Sequence, residues 1–469
     1  MDTIIKKINF LTTNKILVYG DFIIDIYINS ITNRISNETP IPVFEELEGQ
    51  NILPGGAGNV LNNLLTFNDN CHLLTILEEK YENMLSLFSN KIINIKDDNY
   101  INIIKTRYFC FNQNTIRIDK KNNYIMSNEI IEKIKIKIDE ILPNYNIVII
   151  SDYNTGIVNY ELAQYIINSS NKLNIKTLID PKNSYLLYKN CTIIKSNKKD
   201  AEKYSKIIIN NNNDAFEACN IFLKKLNINE CIITLSENGC VYMNKSNEKF
   251  YVKPIINNIF EIMDVTGAGD TFVSTFAIGI INSLNIEDNL KLCNKFCNDV
   301  IKRKYVSTVN MLNIFKEENF IFDETNYFIL KKFLLNKKVV FTTGCFDLLH
   351  EGHIETFKVG KQLGDILIVA LNDDNSIKKY KGDERPINNL HTRLTILLSI
   401  KYIDFIIIFS SDTPNNIYNI LEPDILIKGD DYSIDKITEI FPRVKNFISI
   451  KRINNINTTN IINKIRNSK

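Results

Sequence analysis

Short apolar runs that each close on a polar residue alternate with longer amphipathic stretches along most of the chain. Lys15-Ile16-Leu17-Val18-Tyr19-Gly20-Asp21 is one such run, and residues 146–152, 175–181, 191–197 and 231–236 repeat the pattern. Continuous apolar runs of this length suit strands buried on both faces, with helices between them. The prediction is an α/β fold, a doubly wound sheet whose polar residues gather at the carboxyl ends of strands, where such sheets bind ligands. Residues 22–53 break the rhythm: they partly alternate and include Pro40 and Pro42, which predicts a small β-lid. Residues 312–336 are charged and aromatic without a strand pattern, and read as a helical connector. The strand pattern returns in residues 338–343, 364–371, 403–409 and 424–429, predicting a second, smaller Rossmann-like unit. The expected division is a domain over 1–325, a connector at 326–337 and a domain over 338–469.

A chain of 469 residues exceeds what one hydrophobic core supports, in keeping with that division. With 44% hydrophobic and 23% charged residues and a formal charge of +2, it is globular and offers no electrostatic case for nucleic acid or a membrane surface. The nine cysteines are scattered, odd in number and without Cys-x-x-Cys spacing, as expected of reduced thiols in the cytosol. Cys293 and Cys297 share a helical face but have no second ligand pair to complete a metal site. The N-terminus carries no basic-then-apolar leader, and no stretch approaches a membrane span, so a cytoplasmic setting is expected. The Asn210–Asn213 tetrad reads as a loop.

Two motifs carry chemistry. Asp264-Val265-Thr266-Gly267-Ala268-Gly269-Asp270-Thr271 precedes an apolar helical face made by Phe272, Val273, Phe276, Ala277, Ile280 and Ile281. Gly267, Ala268 and Gly269 therefore open a helix, where backbone N–H groups and the helix dipole favour an anion and the glycines let phosphate oxygens approach. Asp270 falls in the first turn, where it can accept the proton of an attacking hydroxyl while the amides hold the transferring phosphoryl group. Further along, His350-Glu351-Gly352-His353 follows a strand and opens a helix containing Phe357, Val359 and Leu363. Both histidines can face a bound triphosphate and stabilise charge on its α-phosphate and on leaving pyrophosphate, with Gly352 leaving room for the nucleotide. No base is needed there if the nucleophile is a sugar phosphate, already an anion. Two transfers in one chain suggest consecutive steps of one pathway.

The first motif, together with Pro54-Gly55-Gly56-Ala57-Gly58-Asn59-Val60, resembles the paired motifs of ribokinase-like, PfkB-type sugar kinases. That resemblance implies sugar contacts from Asp21, Asp25, Gly55, Gly56 and Asn59, and Asp270 as the base. Ser36, Pro40 and Pro42 look like the lid of bacterial heptose 7-phosphate kinases, as do Asn112-Gln113, Ile116–Asp119, Ser151-Asp152-Tyr153 and Asp180-Pro181-Lys182. On the same resemblance Asp152 joins the sugar site, and Arg107, Arg117 and Lys182 are candidate partners for the sugar's phosphate. Asn197-Lys198-Lys199-Asp200 stands where the family has Asn-x-x-Glu; the shorter Asp200 can still help arrange water around Mg²⁺. Ser236, Glu237 and Gly239 lie in what resembles the nucleotide-side loop.

The second motif, with Gly344, Phe346 and Asp347 before it, is similar to that of the cytidylyltransferase-like nucleotidyltransferases. Lys381–Pro386, with Lys381 and Arg385, and Arg393 resemble the basic loop and following helix of heptose 1-phosphate adenylyltransferases. Lys428-Gly429-Asp430-Asp431-Tyr432 resembles their nucleotide loop with Asp430 in place of a glycine, and Thr458-Thr459 their phosphate-binding helix start. Nearly the whole chain thus resembles bifunctional enzymes joining a heptose 7-phosphate kinase to such an adenylyltransferase. The resemblance implies ATP, Mg²⁺ carried on its phosphates rather than in a protein cage, sugar phosphates as partners, and a homodimer through the kinase lid. It also implies supply of ADP-heptose to lipopolysaccharide core. The sugar's identity and ATP against CTP at the second site stay open on spacing alone, and Asp200 in place of Glu leaves open a kinase half kept only for binding.

Overall fold

Ile16, Leu17, Val18 and Tyr19 lose nearly all contact with solvent in β1 (Ile16–Gly20), the centre of the first sheet. A fully buried Val, Leu or Ile contributes about 1.5–3 kcal/mol, so each such run commits its segment to the interior. The computed structural model describes residues 1–82, 88, 90–111, 113–182, 184–254, 261–430, 432–451 and 461–462. The chain forms two compact units, residues 3–310 and 311–469. Among the described residues no helix is long and apolar enough to cross a membrane.

In the first unit, β2 (Phe22–Ile35) and β3 (Pro42–Gly56) make a long antiparallel ribbon. Strands β4 (Cys71–Thr75) and β5 (Ile92–Asn94) return to the main sheet. Strands β6 (Ile103–Cys110) and β7 (Gln113–Lys120) complete a four-stranded lid in the order β3-β2-β6-β7. The main sheet then gains β8 (Ile147–Ser151), β9 (Lys176–Asp180), β10 (Ile193–Asn197), β11 (Glu230–Thr234), β12 (Cys240–Asn244) and β13 (Lys249–Val252). Its nine strands run β13-β12-β11-β10-β9-β8-β1-β4-β5, parallel from β11 to β5. The winding reverses between β8 and β1, so their carboxyl ends open a crevice.

The lid has two unlike faces. Asp25, Lys105 and Asp119 form one lateral row, and Tyr27, Arg107 and Arg117 the next, on the same side of the pleat. That face packs Tyr27 on Tyr305 with ring centroids 4.5 Å apart. The opposite face carries Ile26, Thr106 and Ile118, then Ile28, Tyr108 and Ile116, with Ile118 55% exposed.

The second unit starts earlier than the sequence pattern indicates. Residues 311–325, expected in the first domain, and 326–337, expected as a connector, belong to it. Strand β14 (Ile321–Phe322) pairs with β17 (Phe405–Phe409) at a sheet edge. Phe315, Phe320, Phe322, Phe333 and Phe405 pack ring on ring there, Phe320 and Phe322 at 4.7 Å. A two-residue strand bearing an aromatic cluster has no period to read, which is why the segment resembled a helical linker. The remaining strands are β15 (Val339–Gly344), β16 (Ile366–Asn372), β18 (Ile425–Gly429) and β19 (Phe447–Ile450). The order β14-β17-β16-β15-β18-β19 is parallel throughout and reverses between β15 and β18.

The abundant asparagines have local work. Asn159, Asn197, Asn211, Asn285 and Asn389 cap helix N-termini through their side chains. The tetrad read as a loop instead starts a helix, with Asn211 and Asp214 forming a capping box.

Candidate active sites

The helix Ala268–Ile281 begins at Gly267, whose φ of 84° is one that side-chain-bearing residues avoid. A Cβ at Gly267 would also lie 2.8 Å from Asn59 Nδ2. This helix is locked on the helix Ala57–Phe67: Thr271 Oγ1 donates to Asn63 Oδ1 at 3.1 Å, and Ser274 Oγ to the Val60 carbonyl at 3.0 Å. The packing brings two distant residues to Asp270. Asn59 Nδ2 donates to its Oδ2 at 2.8 Å and Tyr153 Oη to its Oδ1 at 2.6 Å. Asp270 is 4% exposed; burial pushes its carboxyl up to about 6, against the pull of the Tyr153 and Asn59 hydrogen bonds. Such a group is ionised near neutral pH yet basic enough to take a proton.

The crevice brings Asp21 into the same cluster. Its carboxylate accepts from Tyr153 N and from Thr155 Oγ1, both at 2.6 Å. Burial first, and the Asp152 carboxylate second, raise it to about 7. Gly55 is required by close approach, since a Cβ there would lie 2.0 Å from Asp25 Oδ2. Gly56 packs against the Asp21 carbonyl.

Five residues expected to face the sugar, Asp25, Arg107, Arg117, Asp152 and Lys182, are engaged by their own neighbours. Arg107 Nη1 sits 2.5 Å from Asp25 Oδ1, both side chains buried. Arg117 holds Asp119 with two 2.7 Å hydrogen bonds, and Lys182 lies 3.4 Å from Asp200. Asp152 is fully buried and accepts from Tyr188 Oη and Asn154 N. On the nucleotide side Asn197 Nδ2 donates to Asp200 Oδ2 at 2.7 Å while Asn197 caps the helix that contains Lys198 and Lys199. Ser236 and Glu237 are exposed beside Gly239.

Sequence reasoning quoted Tyr153 without giving it a role, and missed Thr155 and Lys195. Lys195 Nζ is buried 3.1 Å from Asp180 Oδ1, and 3.1 Å from where a Cβ on Gly269 would stand. An ammonium thus lies beneath the anion-binding loop. A lysine inside the apolar run 191–197 was the available signal, because a charge in a central strand must have a partner.

In the second unit His350 is the N-cap of the helix Glu351–Leu363. Its ring stacks on His353 with centroids 3.9 Å apart, and a Cβ on Gly352 would lie 3.2 Å from the His350 ring. Burial, then His350 and Lys381, push His353 down to about 3, so it is neutral at physiological pH. Both rings line a cavity of about 850 Å³ at the β15/β18 reversal, shared with Gly344, Phe346, Asp347, Lys381 and Gly429. Lys428 and Lys436 extend it, standing 4.3 and 5.2 Å from the Tyr432 ring centroid.

Arg393 does not reach that cavity. It is fully buried, its guanidinium donating to the carbonyls of Asn388, Cys345 and Asn372 and to Asp374 Oδ1. With its donors spent on loop carbonyls it is a structural clamp, not a nucleotide ligand. Arg385 is 2.7 Å from Asp347, whose carboxylate also accepts from Ile387 N and Asn388 N. Asp431, Thr458, Thr459 and Asn112 lie outside the described residues.

A pfkB family carbohydrate kinase profile matches residues 13–311, and a Cytidylyltransferase-like profile matches residues 341–465. The Bifunctional protein HldE of Aliarcobacter butzleri (strain RM4018) is 33% identical over 471 residues, 96% of this chain and 97% of its own. That of Campylobacter fetus subsp. fetus (strain 82-40) is 32% identical, over 96% of this chain and 99% of its own. The chain belongs to the bifunctional HldE family. It is accordingly an enzyme with two activities, a sugar kinase followed by a nucleotidyltransferase. The kinase profile ends where the second unit begins, at residue 311.

Solved structures agree on the fold of the first unit. Escherichia coli Phosphofructokinase-2 in complex with potassium is 13% identical, covering 64% of this chain and 96% of its own with a TM-score of 0.54. The same enzyme in complex with fructose-6-phosphate covers 61% and 93%, at 15% identity and a TM-score of 0.51. At such identities the likeness speaks for the fold alone.

Proposed function

We propose that this HldE-family enzyme carries out two steps of ADP-heptose synthesis in the cytosol. The first unit moves the terminal phosphoryl group of ATP to the C1 hydroxyl of D-glycero-β-D-manno-heptose 7-phosphate. The second joins AMP from ATP to heptose 1-phosphate and releases pyrophosphate. The observation that carries this reading is one chain holding both a buried base at an anion-binding helix start and a stacked histidine pair over a nucleotide-sized cavity, with HldE relatives matching end to end.

In the kinase step Asp270 takes the proton of the C1 hydroxyl as that oxygen bonds to the γ-phosphorus and the bond to ADP breaks. Asn59 and Tyr153 aim the carboxylate, and the Gly267–Gly269 amides hold the transferring group above Lys195. Asp21, Gly55 and Gly56 bound the sugar side; Asn197, Asp200, Ser236 and Gly239 bound the nucleotide side. Mg²⁺ on the ATP phosphates supplies charge neutralisation. Asp200, held by Asn197 Nδ2 at 2.7 Å, is the carboxylate suited to its water shell. In the second step a phosphate oxygen of heptose 1-phosphate attacks the α-phosphorus of ATP. Neutral His353, His350 and Lys381 stabilise charge on the α-phosphate and on departing pyrophosphate. The lid's outer face, with exposed Ile116 and Ile118, supports a homodimer.

Mass-resolved product analysis tests the reading. Incubated with Mg-ATP, the chain should convert heptose 7-phosphate to the 1,7-bisphosphate, and heptose 1-phosphate to ADP-heptose plus pyrophosphate. Turnover of other sugar phosphates but neither of these would refute the heptose assignment.

A further inference from the structure

The sugar of the proposed kinase step already carries a phosphate, and the present inference rests on that reading. A dianion entering a half-buried site needs a cation not already spent. Arg107 is held by Asp25, Arg117 by Asp119 and Lys182 by Asp200. Lys105, on β6 between Asp25 and Asp119, has no ion pair among the described residues. Its two carboxylate neighbours are both occupied by arginines. Lys105 Nζ stands 4.9 Å from the centroid of the Tyr153 ring, and Tyr153 Oη donates to Asp270 at 2.6 Å. One aromatic ring therefore separates a free ammonium from the base.

We propose that Lys105 receives the phosphate that the sugar substrate already carries, with Tyr153 as the spacer between that phosphate and Asp270. A sugar with its reacting hydroxyl at one end and its phosphate at the other can place the two groups on either side of that ring. Lysine suits the task because its ammonium is a point charge on a flexible stem. Burial first, then Arg117 and Arg107, lower its proton affinity, with Asp25 and Asp119 opposing. A bound dianion reverses that penalty, whereas an unphosphorylated sugar leaves it in place. Selection for phosphorylated sugars follows from the same contact.

The test uses the full chain and its Lys105→Met and Lys105→Arg variants. Kinase kcat and KM are measured for heptose 7-phosphate, for a panel of hexose 6-phosphates and for the parent unphosphorylated sugars. Lys105→Met should raise KM for the sugar phosphate by roughly 10- to 100-fold, the worth of a charged hydrogen bond. KM for ATP should not move, the preference for phosphorylated over parent sugar should collapse, and Lys105→Arg should restore part of it. A preference ratio unchanged in Lys105→Met, with wild-type turnover intact, overturns the proposal alone. A wild type that phosphorylates no sugar phosphate overturns the kinase reading and this proposal with it. An unchanged thermal transition of the first unit, with KM for ATP at the wild-type value, reports that each variant is folded where Lys105 lies.

Discussion

Replacing Asp270 with asparagine should make the first unit more stable while disabling the kinase. Burial raises the Asp270 carboxyl from 3.8 to about 6, a shift of about 2 units at about 1.4 kcal/mol each. Because the folded affinity exceeds the unfolded one, the native state binds more protons in that interval, and stability falls as pH rises through it. Above pH 6 the charged carboxylate therefore destabilises the fold by about 3 kcal/mol. An amide of the same shape still accepts from Asn59 Nδ2, and the Tyr153 hydroxyl can rotate to suit it. Thermal unfolding of Asp270→Asn at pH 7.5 should move the first unit's transition up by roughly 5 °C. The gain should shrink to about half by pH 5 and to under about 1 kcal/mol by pH 4. Kinase kcat should fall by about 10²- to 10⁴-fold, the worth of a general base. A variant that is less stable at pH 7.5, or whose gain grows on acidification, would show that Asp270 is a stabilising partner and not a desolvated base.

Arg393→Met should lower the stability of the second unit by about 3–5 kcal/mol, because it strands Asp374 and three carbonyls; the calorimetric transition of that unit should drop while kinase turnover persists. His353→Gln should slow adenylyl transfer by about 10²- to 10³-fold in a pyrophosphate-release assay. Since His353 is pushed from 6.5 down to about 3 in the fold, its contribution to stability is lost as pH falls from 6.5 toward 3. The second unit of His353→Gln should therefore lose less stability than wild type between pH 6.5 and 4.5. Ile116→Glu together with Ile118→Glu, on the lid's outer face, should convert a dimer to a monomer by light scattering; a wild type already monomeric would refute the lid interface.

Much of the chemistry is local, and local chemistry is readable. Gly267, Gly269 and Asp270 work through a helix start, a feature of consecutive residues, so one motif announces them. His350 and His353 are likewise one helical turn apart. The central strands were legible because Ile147–Ser151 and its counterparts are buried on both faces and must be continuously apolar. Residues 311–337 were not, because β14 is two residues long and its aromatics answer to a sheet edge rather than to a period.

The amino-acid order alone thus determined two α/β units, their central strands and the two motifs that carry phosphoryl and nucleotidyl transfer. Only the tertiary structure decided which charged side chains are available to a ligand. Arg107, Arg117, Lys182 and Arg393 look like phosphate ligands in the sequence, yet each is held by a carboxylate or a set of carbonyls. Lys105 looks like an incidental charge, yet it stands over Tyr153 with no ion pair among the described residues, and Lys195 lies beneath the anion loop. The physical reason is that a charge's partner is set by what lies across the sheet or on the next helix. Asn59 and Asp270, 211 residues apart in the chain, meet for that reason alone.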